Sequence, residues 1–553
     1  MSKVKNNKVL QLGVFWVLFF SSVSFTHVWA ADVPPSKKIE LKNVEPFCSD
    51  KIDSTWRKAQ TIEGVEIAES RVCSPDNPYA IASFVKGTNN VSMGTIMATR
   101  LSPDAVIKGK DLDGDGDPDE IEIRLEVAEL NGYTPDSKEL INQFPIAPGI
   151  TPSFWVFAPK TRGMSSTNFE SLEANRLLRA PSPAIRVEQG DTVKLVLENT
   201  HYMPHTIHLH GVDHPFLDEN GEGNDGVPQA SEGLVMPGQS RTYNMKPRQT
   251  GTMAYHCHVQ TDKHVLMGLI GMFIVEENKP NNWVQTFNVG AGHVRHSSVG
   301  IKEEFDREYD LQYIEMDKEL HALVQQSNDP RLLAKQMNRV YNMTERVPEY
   351  FLLNGRSWPY TLRESLVIVK PDENIKMRVF NSGDMLMSLH THGHKATITH
   401  YDGVEHNLLA QITRDVYMLG AAQRVDLKLN TTDDGLHSYG EGIWVFHDHN
   451  EIRVTTDGMH PGGDISAIVY ESFLGENGMP KGRGVNLSQF FTEAFYKKEI
   501  PVWTHSDPDG FFGEIDIKGS QSSNSTMNMI LVILSVLAFL GLIVFLERRT
   551  KRN

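Results

Sequence analysis

The sequence predicts an all-β body made of two β-sandwich domains of common design, with an N-terminal extension and a C-terminal transmembrane helix. Three observations point there. Two stretches, "PAIRVEQGDTVKLVLENT" (183–200) and "ESLVIVKPDENIKMRVFNS" (364–382), alternate apolar and polar residues on either side of a turn, which reads as a hairpin with one buried face. Each is followed by a His-x-His-Gly cluster and then by a second His-x-His behind an apolar-aromatic strand. The repeat is about 180 residues long, too long for a solenoid and right for a sandwich domain.

Residues 1–30 read as a signal peptide. Lys3, Lys5 and Lys8 precede an apolar run, and "HVWAAD" offers small residues for cleavage near Ala30; a retained membrane anchor is the alternative. Residues 31–117 form an N-terminal extension of unassigned fold. It holds Cys48 and Cys73, candidates for a disulfide in an oxidising compartment. Cys257 is then left without a partner.

The extension ends in "DLDGDGDPDEIE" (111–122). Its spacing matches a calcium loop, with Asp111, Asp113, Asp115 and Glu122 as ligands, Gly116 at the sharp turn, and Asp117 and Asp119 adding oxygens. The flanks read as strand rather than as helices, and a solvated acidic turn is the other reading. The first repeat spans 118–278 and the second 305–475, with a helical insert, "KELHALVQQSNDPRLLAKQMNRVY", inside the second. Residues 476–526 form a tail and a polar linker. Met527 to Leu546 supplies the twenty or so apolar residues a bilayer core requires, and "ERRTKRN" follows as a cytoplasmic flank. The body is therefore expected outside the cytoplasm, tethered by its tail, on the periplasmic face of the inner membrane in a Gram-negative cell. The formal charge of −16, with basic residues clustered only at the two ends, excludes a nucleic-acid partner.

On a strand, alternate side chains share a face, so each His-x-His sets two imidazoles side by side. His208/His210, His256/His258, His390/His392 and His447/His449 give four such pairs in duplicated order. Eight imidazoles meeting at one place suffice for three ions of copper, zinc or iron. A second set overlaps the first: His205, Cys257 and His264 make the His₂Cys trigonal group of a blue-copper site. Met267, Leu269 and Met272 all lie within reach as axial neighbours.

With "HTIHLHG", "YHCHV", "LHTHGH" and "FHDHN" in this order, the chain resembles the multicopper oxidases, in the laccase-like branch with two cupredoxin-like Greek-key domains. The resemblance covers roughly 118–475. It implies four coppers per chain: type 1 on His205, Cys257 and His264; type 2 on His208 and His390; type 3 on His210, His256, His258, His392, His447 and His449. It also implies one-electron oxidation of a donor (a phenol, a metal ion or a redox protein) coupled to reduction of O₂ to water. Asp213 would serve as a proton relay, and a homotrimer would complete the cluster between chains. Two departures stand out. His264 follows Cys257 by seven residues rather than five, and the axial position falls on Leu269, with Met267 as the alternative ligand. In the second repeat Asp448 replaces the cysteine and Met387 stands where His205 does, so one type 1 site per chain is expected. A copper nitrite reductase-like enzyme is the nearest rival; a membrane-tethered copper or electron-transfer protein without turnover is the rival from another class.

Overall fold

A computed structural model describes a short hairpin at 60–67 and residues 102–499, with internal gaps of which the longest are 134–139, 162–178 and 295–303. The signal peptide, Cys48, Cys73, and the apolar segment 527–546 lie outside the described residues. Among the described residues no helix is long and apolar enough to cross a membrane.

Two β-sandwiches stand in the described region. In the first, one sheet runs Val106–Lys108, Glu120–Leu130, Thr192–Glu198, Ser240–Met245, with Phe154–Pro159 also on Glu120–Leu130. The facing sheet runs Phe287–Asn288, Ala184–Glu188, Ile270–Glu276, Gly251–His256, His208–His210. Alternation decides the inward face: Val193, Leu195 and Leu197 lie opposite Ile121, Ile123 and Leu125 in a parallel pair and are buried with them. The second sandwich repeats the scheme. Arg307–Met316 pairs parallel to Asn374–Asn381, as does Val367–Val369 to Ser466–Tyr470, and Met387–Thr391 pairs antiparallel to Ile443–Asp448.

The two predicted hairpins are not hairpins. Ala184–Glu188 and Thr192–Glu198 lie in different sheets, and so do Val367–Val369 and Asn374–Asn381. Each turn carries the chain across the sandwich; at the first, Asp191 Oδ2 accepts the Glu188 N–H at 2.8 Å and closes the corner. Alternation reports a buried face but not which strand lies beside it. The first sandwich also begins earlier than residue 118, because Val106–Lys108 pairs with Glu120–Leu130. The acidic loop is thus the tip of a true hairpin.

Ala254, Ile270, Met272 and Ile274 turn outward from the first sandwich and pack on Ile314, Met316, Leu352 and Phe380 of the second. A polar seam continues this junction: Arg186 grips Asp310 at 2.7 and 2.5 Å, and Arg378 meets Glu276 at 2.8 Å. The helical insert is confirmed as Lys318–Gln326 and Pro330–Lys335, the latter capped by Asp329 with Pro330 at its first turn. It leaves its own sandwich, however. Leu320, Val324, Leu333, Met337 and Tyr341 join the core that contains Cys257, and His321 Nδ1 donates to the Ser153 carbonyl at 2.6 Å. The tail packs on the second sandwich through Phe490 and Phe495, and the Tyr496 hydroxyl donates to the Trp358 carbonyl.

Candidate metal centres

Cys257 follows the strand Gly251–His256, His205 sits in a bridge to Val235, and His264 ends the short helix Thr261–His264. The three are fully buried, and Cys257 Sγ lies 3.5 Å from Nδ1 of both His205 and His264. Their ligand atoms fall within 4.8 Å of one another. Burial pushes the thiol up to about 12 and His264 down to about 3, and holds His205 well below its ordinary value. Both imidazoles are therefore neutral, as ligands must be, and the protonated thiol is what a desolvated site adopts until a cation compensates the thiolate. The donor set fits a thiophilic ion such as copper. Leu269 and Met267 are buried in the same core as Cys257, whereas Met272 faces the junction between sandwiches, which sets it aside as an axial neighbour.

Beside this group lies a four-imidazole face. His256 and His208 are directly opposite on paired strands. His256 Nδ1 donates to the Cys257 carbonyl at 2.9 Å, and His208 Nδ1 to the Asp225 carbonyl at 2.6 Å. A carbonyl only accepts, so each ring carries its proton on Nδ1 and leaves Nε2 bare. The bare Nε2 of His256 faces His210 Nε2 at 3.0 Å, an arrangement a shared cation would satisfy. Burial and the neighbouring rings press His210 to about 4 and His256 to about 3. His258 stacks on His256 with centroids 5.6 Å apart.

The second sandwich repeats this scaffold atom for atom. His447 Nδ1 donates to the Asp448 carbonyl at 2.9 Å, His390 Nδ1 to the Asp415 carbonyl at 3.0 Å, and His392 Nε2 faces His447 Nε2 at 3.3 Å. His392 and His449 are exposed, the His449 side chain by 56%. The structure thus assembles each predicted set of four separately. Among the described residues no ring contact joins the two sets, and they stand on sheets of different sandwiches.

Asp213 pairs with Arg248. It accepts from the Arg248 backbone N–H at 2.9 Å and from its guanidinium at 2.8 Å, and that pairing holds it below the usual carboxylate range. The carboxylate beside the rings is Asp225, with Oδ1 3.3 Å from His208 Nδ1 and 3.1 Å from His214 Nε2. Nothing in the spacing of "GNDGV" announces that role; only the folding back of the loop onto the His208–His210 strand does.

In the acidic loop, Asp111, Asp113 and Asp115 bring carboxylate oxygens within 4.8 Å of one another. Asp111 accepts from the Gly114 and Gly116 N–H groups at 2.5 and 3.0 Å, and Asp119 from Leu112 and Asp113. Glu122, expected as the last ligand, is not among these converging carboxylates. It stands in the following strand bound to Arg124 at 2.6 Å, because a strand exits this loop where a helix would return the last carboxylate to the ion. Asp117, Glu188 and Asp191 are buried behind the loop.

Fold and site together define a duplicated β-sandwich metalloprotein with one thiol–imidazole centre and two histidine faces. Two family models, each described as multicopper oxidase, match residues 178–280 and 332–461. Over these two segments the chain is similar to the multicopper oxidases. It is similar to the iron transport multicopper oxidase FET3 of Saccharomyces cerevisiae, 26% identical over 289 residues, covering 50% of this chain and 37% of that protein. Copper resistance protein A of Pseudomonas syringae pv. tomato is 32% identical over 114 residues, covering 21% of this chain and 17% of the relative. Among solved structures, the blue copper oxidase from Nitrosomonas europaea has a TM-score of 0.46 at 23% identity, covering 69% of this chain and 94% of its own. The chain spans less than half the length of the iron-transport relatives it matches.

Proposed function

We propose that the chain oxidises a donor one electron at a time and passes the electrons to O₂. The observation that carries the reading is the duplicated imidazole scaffold with a thiol inserted in one copy only. Copper, when bound, supplies the redox chemistry: single-electron oxidation at the type 1 site and four-electron reduction of O₂ to water at the other three ions. His205, Cys257 and His264 hold the first ion; His208 and His390 the type 2 ion; His210, His256, His258, His392, His447 and His449 the type 3 pair. Leu269, or Met267 as the alternative, both buried in the same core as Cys257, would lie beside the first ion. Cys257 is joined by single peptide bonds to His256 and His258, and its carbonyl accepts from the His256 ring. The thiol is thereby wired directly to the oxygen-binding face. Asp225, or Asp213 if Arg248 releases it, delivers protons to that face.

Each four-histidine set is half a cluster, and His392 and His449 are exposed. This supports a head-to-tail homotrimer in which the first sandwich of one chain meets the second sandwich of the next. A monomer carrying four coppers in light scattering would overturn it. The donor is a metal ion, ferrous ion first, a choice supported by the relatives named for iron transport and by the acidic surface; phenols and redox proteins are the comparison arms. The body is exported and tethered through 527–546. The acidic loop takes calcium, supported by the three converging carboxylates; terbium luminescence displaced by calcium tests this, and its absence returns the loop to a solvated turn.

The decisive experiment is a visible spectrum with copper quantitation, followed by oxygen uptake against the donor panel. Blue colour, about four coppers per chain and donor-dependent uptake are expected. One or two coppers with nitrite turnover, or copper without oxygen uptake, would overturn the reading.

A further inference from the structure

His201 lies outside every ligand set, yet it is fully buried and its Nδ1 sits 2.9 Å from His205 Nε2. A turn fixes it there. Asn199 Oδ1 accepts the His201 N–H at 3.0 Å, and Asn199 Nδ2 donates to the Met203 and Val235 carbonyls, each at 2.8 Å. The Met203 N–H also points at His201 Nδ1, at 3.4 Å. A backbone N–H can only donate, so His201 Nδ1 is an acceptor and the facing His205 Nε2 is the donor. His205 then carries its proton on Nε2, and its Nδ1 lone pair is the atom directed at Cys257 Sγ. The opposite arrangement would put a proton on His205 Nδ1 and deny a metal that position.

Resting on the type 1 reading of His205, Cys257 and His264, we infer that His201 is a positioning residue for that site: it locks His205 in the metal-binding tautomer and orientation. Partners of this kind are more often carboxylates or carbonyls, which make the ligand more basic. A neutral imidazole pushes less charge onto His205. Its surroundings reinforce this, with Trp155 at 4.9 Å and Tyr202 at 4.0 Å between ring centroids and no hydrogen-bond partner for His201 Nε2 among the described residues. The site is thus biased toward the reduced metal.

The test uses the full chain with Cu(II) alone, following the thiolate-to-copper charge-transfer band, copper affinity and reduction potential. His201→Phe keeps ring volume and removes the acceptor; it should weaken copper binding at Cys257 about 10–100-fold. His201→Asn restores an acceptor and should recover most of that affinity. His201→Asp should lower the potential and leave the band in place. Thermal unfolding of the metal-free variants separates these effects from misfolding. If the parent chain forms no thiolate band, the type 1 reading itself fails. If it does and His201→Phe matches it in band, affinity and potential, the inference about His201 is wrong while the type 1 reading stands.

Discussion

The triplets His256-Cys257-His258 and His447-Asp448-His449 occupy the same place in the two sandwiches, each closing the strand that pairs with a His-x-His strand. The first holds a buried thiol beside the neutral imidazoles of His205 and His264, and among the described residues no arginine or lysine pairs with it. The second has filled the equivalent pocket with an arginine. Asp448 Oδ1 accepts from the Ser388 and Asn450 N–H groups at 2.9 and 2.8 Å, and its Oδ2 lies 2.7 Å from Arg453 Nε. Arg453 also reaches Asp464 at 3.2 Å and Glu315 at 3.1 Å, with all four side chains sealed from solvent. One copy requires an imported cation to discharge its thiolate; the other supplies a guanidinium from its own chain. The outer histidines and their carbonyl acceptors are the same in both, so the metal face is independent of what fills the pocket behind it.

The comparison breaks most completely at Cys257. Cys257→Ser should remove the thiolate band and reduce oxygen uptake to background, while copper analysis still finds ions on the histidine faces. Next is Arg453→Leu, which takes the guanidinium from buried Asp448 and Asp464 and leaves Glu315 with Arg346 alone. It should cost about 3–5 kcal/mol in denaturant unfolding, and the surviving folded protein should remain blue. Asp448→Asn keeps the acceptor for Ser388 and Asn450 and weakens only the charge pair. A loss of about 1–3 kcal/mol with unchanged colour is expected; loss of colour would mean the two pockets are not independent. At the histidine face, Asp225→Ala should lower oxygen uptake about 10-fold or more and Asp213→Ala far less, read from steady-state rates at saturating donor.

The smallest effect concerns the acidic loop. Burial, with repulsion from neighbouring carboxylates, raises Asp117 to about 6 and Asp191 to about 7. Each keeps its proton in the folded chain after losing it in the unfolded one. The folded state therefore binds more protons between about pH 4 and 7, and stability falls as pH rises through that window. Calcium should offset the fall. Glu188, raised to about 10 by burial and by Asp117, extends the trend, so Glu188→Gln should flatten unfolding midpoints measured against pH.

Much of the site could be read from sequence because a strand's period of two turns His-x-His into a surface. The four His-x-His pairs needed no more than that, whereas His205, Cys257 and His264 were legible only as the donor set of a blue-copper site. Which strands pair is a different kind of information. Gly190-Asp191 looks like a hairpin turn, yet it leads from one sheet to the other, since alternation is equally served by either neighbour. Asp225 acts through a loop folded back in space, and Arg453 neutralises Asp448 from a short helix whose sequence gives no sign of it. Asp213 has a familiar position, but Arg248 claims it.

The insert at 318–341 adds a matter of chain order. Leu320, Val324, Leu333 and Met337 belong to the core of the first sandwich, although the chain makes them after that sandwich is otherwise complete. A chain cut after residue 278 would carry Cys257, His205 and His264 but lack Phe287 and the insert residues of the core around them. Closure of the thiol centre therefore depends on residues that belong in sequence to the opening of the second sandwich.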